Sequence, residues 1–370
     1  MSAELRAAAQ RREPGAALEI RRVAVLRALF LGDLLMTTPA LRALRRRFPR
    51  AEVTLIGLPW AEQLVARMPH LVDRFVAFSG YPGLAELPYD QARTAAFLAE
   101  QRAYGYDLAI QMHGDGTVTN AVVADLGARI SAGLARPGDN RLDVALPYPD
   151  DAHEIRRWLG LAAALGAPAG DTALELRPAP EDEAWADALL GRSRGGPLVG
   201  LHVGAKDPGR RWPAARFAAL GQALYRKTGA RLVLTGGHED RPLGAEVAAL
   251  SQRPPLDLTG RTDIGSFAAV VRRLDLLVTN DTGASHVAAA VGAPSVVLFG
   301  PTRPAQFAPL DRDCHRVVDA LEYAPAGADG AEALRSLPLQ PVLEAALSRL
   351  AAGRAVTVGV RERAVGEEAR

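Results

Sequence analysis

The feature that most restricts what this chain can fold into is a plan that occurs twice. Arg22–Leu31 is a β-rich run that stops at Gly32-Asp33. A helical stretch follows with Leu34, Leu35, Leu41, Leu44 and Phe48 on roughly one face, Pro49 ends it, and Val53–Ile56 reads as the next strand. In the second half Leu198–Val203 reads as a strand, a Gly-rich loop follows, a helix runs from Ala214 to Lys227 and ends at Gly229, and Arg231–Thr235 is again a strand. Each half therefore opens β–loop–α–β, the unit of a parallel doubly wound sheet. The offset of about 175 residues is the size of a domain, not of a short repeat. The predicted fold class is α/β, with two Rossmann-like doubly wound parallel-sheet domains facing across a cleft. Residues 1–175 form the first domain, 176–196 a linker rich in Pro, acidic residues and Gly, 197–352 the second domain, and 353–370 a charged tail. In open α/β sheets ligands bind outside the carboxyl ends of the strands, so the loops at those ends are where chemistry is expected.

Composition narrows the chemistry. Lys+Arg number 44 against 42 Asp+Glu, a near balance that argues against a whole-protein clamp for nucleic acid. Of those basic residues only Lys206 and Lys227 are lysines, and neither follows a glycine, so no Gly-Lys-Ser/Thr phosphate loop exists. The single cysteine, Cys314, rules out an intramolecular disulfide framework and a cysteine-based zinc site. The seven histidines are scattered with no metal-binding spacing, and Asp311-Arg312-Asp313 has no apolar strand before it, so no metal is expected. There is no Gly-x-Ser-x-Gly elbow and no complete Gly-x-Gly-x-x-Gly, which weighs against a serine hydrolase and a dinucleotide oxidoreductase. The Ala- and Arg-rich start lacks the apolar core of a signal peptide, and Arg27 and Asp33 interrupt the most apolar early stretch. The expectation is a cytoplasmic protein. The first fifty residues carry eleven arginines against four acids, with Arg42, Arg45, Arg46 and Arg47 close together on a helix. That cluster reads as a solvated face or as a peripheral contact with an anionic membrane surface.

Two loops of the second half could hold an anion. The strand Leu276–Thr279 runs into Asn280-Asp281-Thr282-Gly283, and a small-residue helix containing Ser285 and His286 begins at once. Free N–H groups at such a helix start favour a phosphate, and Gly283 lets one approach the backbone. The bland alternative has Asp281 capping the helix and His286 satisfied in the core. Lys206, Arg210 and Arg211 lie close together on the loop after Leu198–Val203, and two such loops on one sheet edge suit a diphosphate. Glu239, after Gly236-Gly237, is placed either to accept hydrogen bonds from ribose or sugar hydroxyls or simply to face water. In the first half Asp33 is positioned to take a proton from a hydroxyl, or else to cap the helix beside it. Gly32, Thr37, Thr38, His113, Asp115 and Asn120 lie on the same strand ends and form the candidate acceptor side.

These segments together resemble glycosyltransferase family 9, the heptosyltransferase-like enzymes of the GT-B fold. The resemblance rests on Gly32-Asp33 with Thr37 through Pro49, on Arg210-Arg211-Trp212-Pro213, and on Leu258-Thr259-Gly260-Arg261-Thr262. Asn280-Asp281-Thr282-Gly283 with His286, and Leu298-Phe299-Gly300-Pro301-Thr302, complete it. It implies an inverting, metal-independent transfer of a sugar, usually heptose from ADP-heptose, onto a hydroxyl of a glycan or glycolipid acceptor of the cell envelope. Asp33 falls where the family has its catalytic base. Arg210, Asp281, Thr282, Gly283 and His286 fall on the family's donor-binding positions, and Lys206, Arg211 and Glu239, read from their loops, complete the candidate donor side. Arg210 stands where a lysine is common, Ala284 where many members carry proline, and the His113–Asn120 loop differs from that of the lipopolysaccharide core enzymes. Other readings of the same plan are a nucleotide-sugar epimerase or hydrolase, and a non-catalytic sugar-nucleotide-binding protein.

Overall fold

The computed structural model describes residues 2–12, 19–191 and 195–352. The charged tail expected over 353–370, and part of the expected linker, lie outside them. The chain divides into two units, Met1–Glu175 and Leu176–Arg370.

The first unit is built on six strands: β1 (Arg22–Leu26), β2 (Glu52–Gly57), β3 (Arg74–Ala77), β4 (Leu108–Gln111), β5 (Ile130–Ala135) and β6 (Val144–Pro147). All pairs are parallel and the order is β3-β2-β1-β4-β5-β6. Helices cover both faces, so the central strands are buried throughout and read as unbroken apolar runs, as in Leu108–Gln111. Leu26, Ile56, Phe97, Ala109 and Val122 belong to one core, in which Phe78 meets Phe97 edge to face at 5.9 Å. β1 stops at Leu26, short of the expected Leu31, and residues Leu31–Leu35 form a short helix.

The second unit repeats the arrangement with β7 (Leu198–His202), β8 (Arg231–Thr235), β9 (Leu256–Asp257), β10 (Leu276–Asn280), β11 (Ser295–Phe299) and β12 (His315–Asp319). The order β12-β11-β10-β7-β8-β9 is the same winding, again parallel at every pair. Helix Ala214–Thr228 closes on Gly229, whose φ of 70° supplies the left-handed cap that a side chain would resist. Its Phe217 is fully buried against Trp212 at 5.1 Å, in a core with Leu201, Leu220, Val278 and Leu298.

The segment 176–196, expected as a linker, contains helix Pro180–Leu190. Pro180 opens it, and Glu181, Asp182 and Glu183 occupy the first turn, where carboxylates suit the positive end of the helix dipole. Arg272 bonds Glu183 at 2.9 Å and Arg273 bonds Asp187 at 2.6 Å, fastening this helix to helix Ile264–Arg272 of the second unit. The acidic run is thus part of that unit. Replacing Phe217 with Ala should cost the second unit about 3–5 kcal/mol, read by denaturant unfolding with a tertiary-structure probe in that unit.

Candidate functional site

In both sheets the strand order reverses at one point, between β1 and β4 in the first and between β7 and β10 in the second. Loops leaving the two strands at such a point diverge and open a crevice at their carboxyl ends. The candidate residues of each unit gather there.

Asp33 is the third residue of helix Leu31–Leu35 and makes no capping bond, so the capping alternative does not hold. Its carboxylate is 30% exposed, with one oxygen 3.6 Å from the Arg27 guanidinium. Arg27 itself is fully buried. It donates to the Asp33 carbonyl at 3.0 and 3.2 Å, to the Met112 carbonyl at 2.6 Å and to Glu154 at 2.8 Å, and lies over the Trp158 ring. Glu154 also accepts from Trp158 Nε1 at 2.8 Å and from Arg157. Burial works to raise the Glu154 carboxyl, but the charges of Arg27 and Arg157 and these hydrogen bonds hold it below its ordinary range. Gly32 is buried within the same short helix. Thr37 and Thr38 are fully buried too; their hydroxyls donate to the carbonyls of Asp33 at 2.9 Å and Leu35 at 2.8 Å. They brace the turn from inside and do not face an acceptor.

The loop after β4 divides in the same way. His113 is buried beside Glu86, with Nε2 3.6 Å from its Oε1. Burial first, and then the nearby Arg27 charge, push its imidazole down to about 3, so it is neutral at ordinary pH. Asp115 accepts from Thr117 N and Arg136 Nε, each at 3.0 Å, and Arg136 also pairs with Asp150. Asn120 is fully buried and donates to the Leu134 carbonyl at 3.0 Å and to Asp139 at 2.8 Å. It fixes the loop and presents nothing to solvent. Thr117, Arg136, Asp139, Asn140 and Arg141 border an open cavity of about 540 Å³ beside it.

In the second unit a buried amide organises the cation loop. Asn280, at the end of β10, donates to the carbonyls of Val203 and Gly204 at 3.1 and 3.2 Å and accepts from Trp212 N at 3.0 Å. Trp212 in turn bonds the Leu337 carbonyl through its indole N–H. Asp240 supports the loop from below: it accepts from Gly237 N at 2.8 Å and packs so tightly that a Cβ on Gly204 would lie 1.9 Å from its Oδ2. Lys206 is exposed. Arg210 is 40% exposed, and its Nη1 stands 3.7 Å from Asp281. Arg211 spends its Nε–H on the Ala205 carbonyl at 2.8 Å, so it shapes the loop. Thr282, not Asp281, caps helix Gly283–Val291, and Asp281 is gripped by the Thr302 hydroxyl at 2.5 Å. Ser285 bonds the Thr282 carbonyl, and His286 is buried. Glu239 is exposed on the turn beside Asp240.

Among the described residues no group of three or more His, Cys, Asp or Glu is arranged to hold a metal ion. Asp311 instead closes a turn by accepting from the N–H groups of Asp313 and Cys314 at 3.1 Å. On the basic helix Arg42 pairs with Glu175 and Asp171, and Arg45 with Asp73, so half of that cluster is neutralised. No helix among the described residues is long and apolar enough to cross a membrane. Arg27, Glu154 and Asp240 were not singled out from sequence. For Arg27 the signal was present: a lone arginine inside an apolar strand run, where a charge must be paired if it is buried.

The profile of glycosyltransferase family 9 (heptosyltransferase) matches residues 95–328. This chain belongs to glycosyltransferase family 9. It is 28% identical to the lipooligosaccharide heptosyltransferase 2 of Haemophilus influenzae, over 76% of this chain and 84% of that protein. It is 26% identical to the lipopolysaccharide heptosyltransferase 2 of Salmonella typhimurium, over 78% and 85%. Two solved structures share the fold. A family 9 glycosyl transferase from Veillonella parvula has a TM-score of 0.75 at 24% identity, covering 90% of this chain and 98% of that one. The E. coli ADP-heptose lps heptosyltransferase II has a TM-score of 0.72 at 23% identity, covering 90% and 100%. The protein is therefore a glycosyltransferase with the two-domain α/β fold of the GT-B class, as its motifs implied.

The buried histidines of this family 9 enzyme give its stability a pH dependence. His113, brought to about 3 from 6.5, takes up a proton less readily when folded than when unfolded. Desolvation likewise brings buried His315 and half-buried His202 to about 4. Their contribution is complete above pH 6.5 and is lost as the pH falls toward 3 or 4, each group adding a slope of up to about 1.4 kcal/mol per pH unit. Unfolding free energies measured between pH 7 and 4.5 should fall accordingly, and His113→Asn should flatten the first unit's share.

Proposed function

We propose that this glycosyltransferase moves heptose from ADP-heptose onto a hydroxyl of a lipopolysaccharide-type acceptor, with inversion and without a metal ion. The acceptor O–H gives its proton to the Asp33 carboxylate as its oxygen attacks the anomeric carbon. The bond from that carbon to the diphosphate breaks, and ADP leaves with the bonding electrons. The second unit holds the donor. Lys206, Arg210 and the N–H groups at the Thr282-Gly283 helix start meet the diphosphate, taking the charge that a metal would otherwise meet. Asp281, held by Thr302, aims Arg210. Glu239, exposed on its turn, accepts from the ribose hydroxyls. His286, Arg211, Thr37, Thr38 and Asn120 shape the loops from behind, while His113 and Asp115 border the acceptor side. The enzyme works in the cytoplasm at the membrane face, where Arg46 remains exposed toward an anionic surface.

One observation carries this reading. An ionisable carboxylate with open oxygens stands at the switch point of the first sheet, and a cation loop beside a capped helix start stands at that of the second. That is the division of labour a base-assisted displacement of a diphosphate requires. The choice of heptose is supported by the relatives, which are named heptosyltransferases.

Asp33→Ala should lower turnover with ADP-heptose by about 100-fold or more, the scale of a lost general base, while ADP affinity by calorimetry stays unchanged. Turnover near wild type would remove Asp33 from the chemistry. Arg210→Ala should weaken ADP binding by about tenfold, the scale of one charged hydrogen-bond contact. Wild-type turnover should survive excess chelator, and ADP-heptose consumed equally fast without any acceptor would favour a hydrolase or epimerase.

A further inference from the structure

Arg27 is the least expected residue of the first unit. A guanidinium taken fully out of water costs several kcal/mol, and apolar replacements of buried ion pairs are often no less stable. Its burial is therefore weak evidence for a role in stability. What it does with its donors is specific. Two of its N–H bonds, at 3.0 and 3.2 Å, go to the backbone carbonyl of Asp33, which also accepts from the Thr37 hydroxyl at 2.9 Å. A third reaches the Met112 carbonyl, one residue past β4, and a fourth reaches Glu154. The carboxylate of Asp33 receives only a long approach of 3.6 Å. A side-on ion pair would occupy both carboxylate oxygens and compete with any proton they should accept. Here the fork grips the peptide and leaves the oxygens open.

We infer that Arg27 is a positioning residue for the transfer reaction, locking the Asp33 peptide across the β1–β4 switch point so that the carboxylate meets the acceptor hydroxyl at a fixed place. Glu154 is its counter-charge, kept ionised by Arg27 and Arg157 and oriented by Trp158 Nε1. The chain of contacts runs from helix Glu154–Ala164 through Arg27 to the short helix that carries Asp33. The inference rests on Asp33 being the base, and the experiment separates the two.

Arg27→Met keeps the length and removes the fork. It should lower kcat by about 100-fold, the cost of a misplaced reacting group, with KM for ADP-heptose and for the acceptor within about twofold of wild type. Arg27→Lys, which restores the charge and one donor direction, should recover about tenfold of that loss. In Asp33→Ala the second change Arg27→Met should cost nothing more, because a residue acting through Asp33 has nothing left to position. Calorimetric ADP affinity and the thermal unfolding midpoint report folding. If Arg27→Met does not fold, Arg27→Met with Glu154→Gln removes the stranded buried charge, and the same kinetic comparisons apply to that pair. A folded Arg27→Met variant with near wild-type kcat, or losses that multiply in the double variant, would overturn the inference while leaving Asp33 as base. An active Asp33→Ala would overturn the base assignment, and the inference with it.

Discussion

Every strand pair of this protein is parallel, and that one constraint organises everything else. Parallel strands put all their carboxyl ends on the same edge and must be joined by crossovers that cover both faces of the sheet. Their ladders pair the backbone donors and acceptors of the inner strands except at the ends, where the chain departs. At the reversal of strand order, two adjacent strands send their loops in opposite directions, and the gap has to be bridged by side chains. Each unit solves that problem with one buried polar residue. In the first unit Arg27 reaches from the end of β1 to the carbonyl after β4. In the second, Asn280 reaches from the end of β10 to the two carbonyls after β7. The bridges run in opposite senses and use different chemistry, yet both knit the same two loops.

The loops held in this way differ in what they leave open. Around Asp33, hydroxyls and guanidinium N–H groups are absorbed by backbone carbonyls, and a carboxylate remains. Around Arg210, the backbone is absorbed by Asn280, Asp240 and Thr282, and cations with a helix start remain. An open carboxylate and an open cation loop are thus sorted to separate units by which groups the fold has already satisfied, the division on which the proposed reaction rests.

Much of this was legible in the linear chain. The two β–loop–α–β openings have strong periodic signals, and strand Arg231–Thr235 and the helix ending at Gly229 are found where the pattern puts them. The Lys206–Arg211 loop and Asn280-Asp281-Thr282-Gly283 lie at strand ends, so their location followed from the fold class, whereas Gly32-Asp33 sits on the short helix Leu31–Leu35 beyond the end of β1. What sequence could not supply was which polar atoms face inward. Arg27 and Glu154 are 127 residues apart, and nothing local marks them as partners. Asp240, next to the Glu239 that the sequence singles out, is the one buried under Gly204. The acidic run after Pro180 looked like a linker because its partners, Arg272 and Arg273, come about a quarter of the chain later.

If the cation loop holds a diphosphate as proposed, the choice of amide over guanidinium for the second bridge bears on how donor and product trade places. An arginine at position 280 would sit behind that loop as one more permanent cation and deepen the well for any diphosphate bound there. Asn280 makes its three hydrogen bonds while remaining neutral. The attraction is then set by Lys206 and Arg210, which are partly or fully exposed, where solvent and salt weaken it. A neutral scaffold with its charges at the surface is, on the proposed reading, one that orients an anion without holding it behind permanent buried charge.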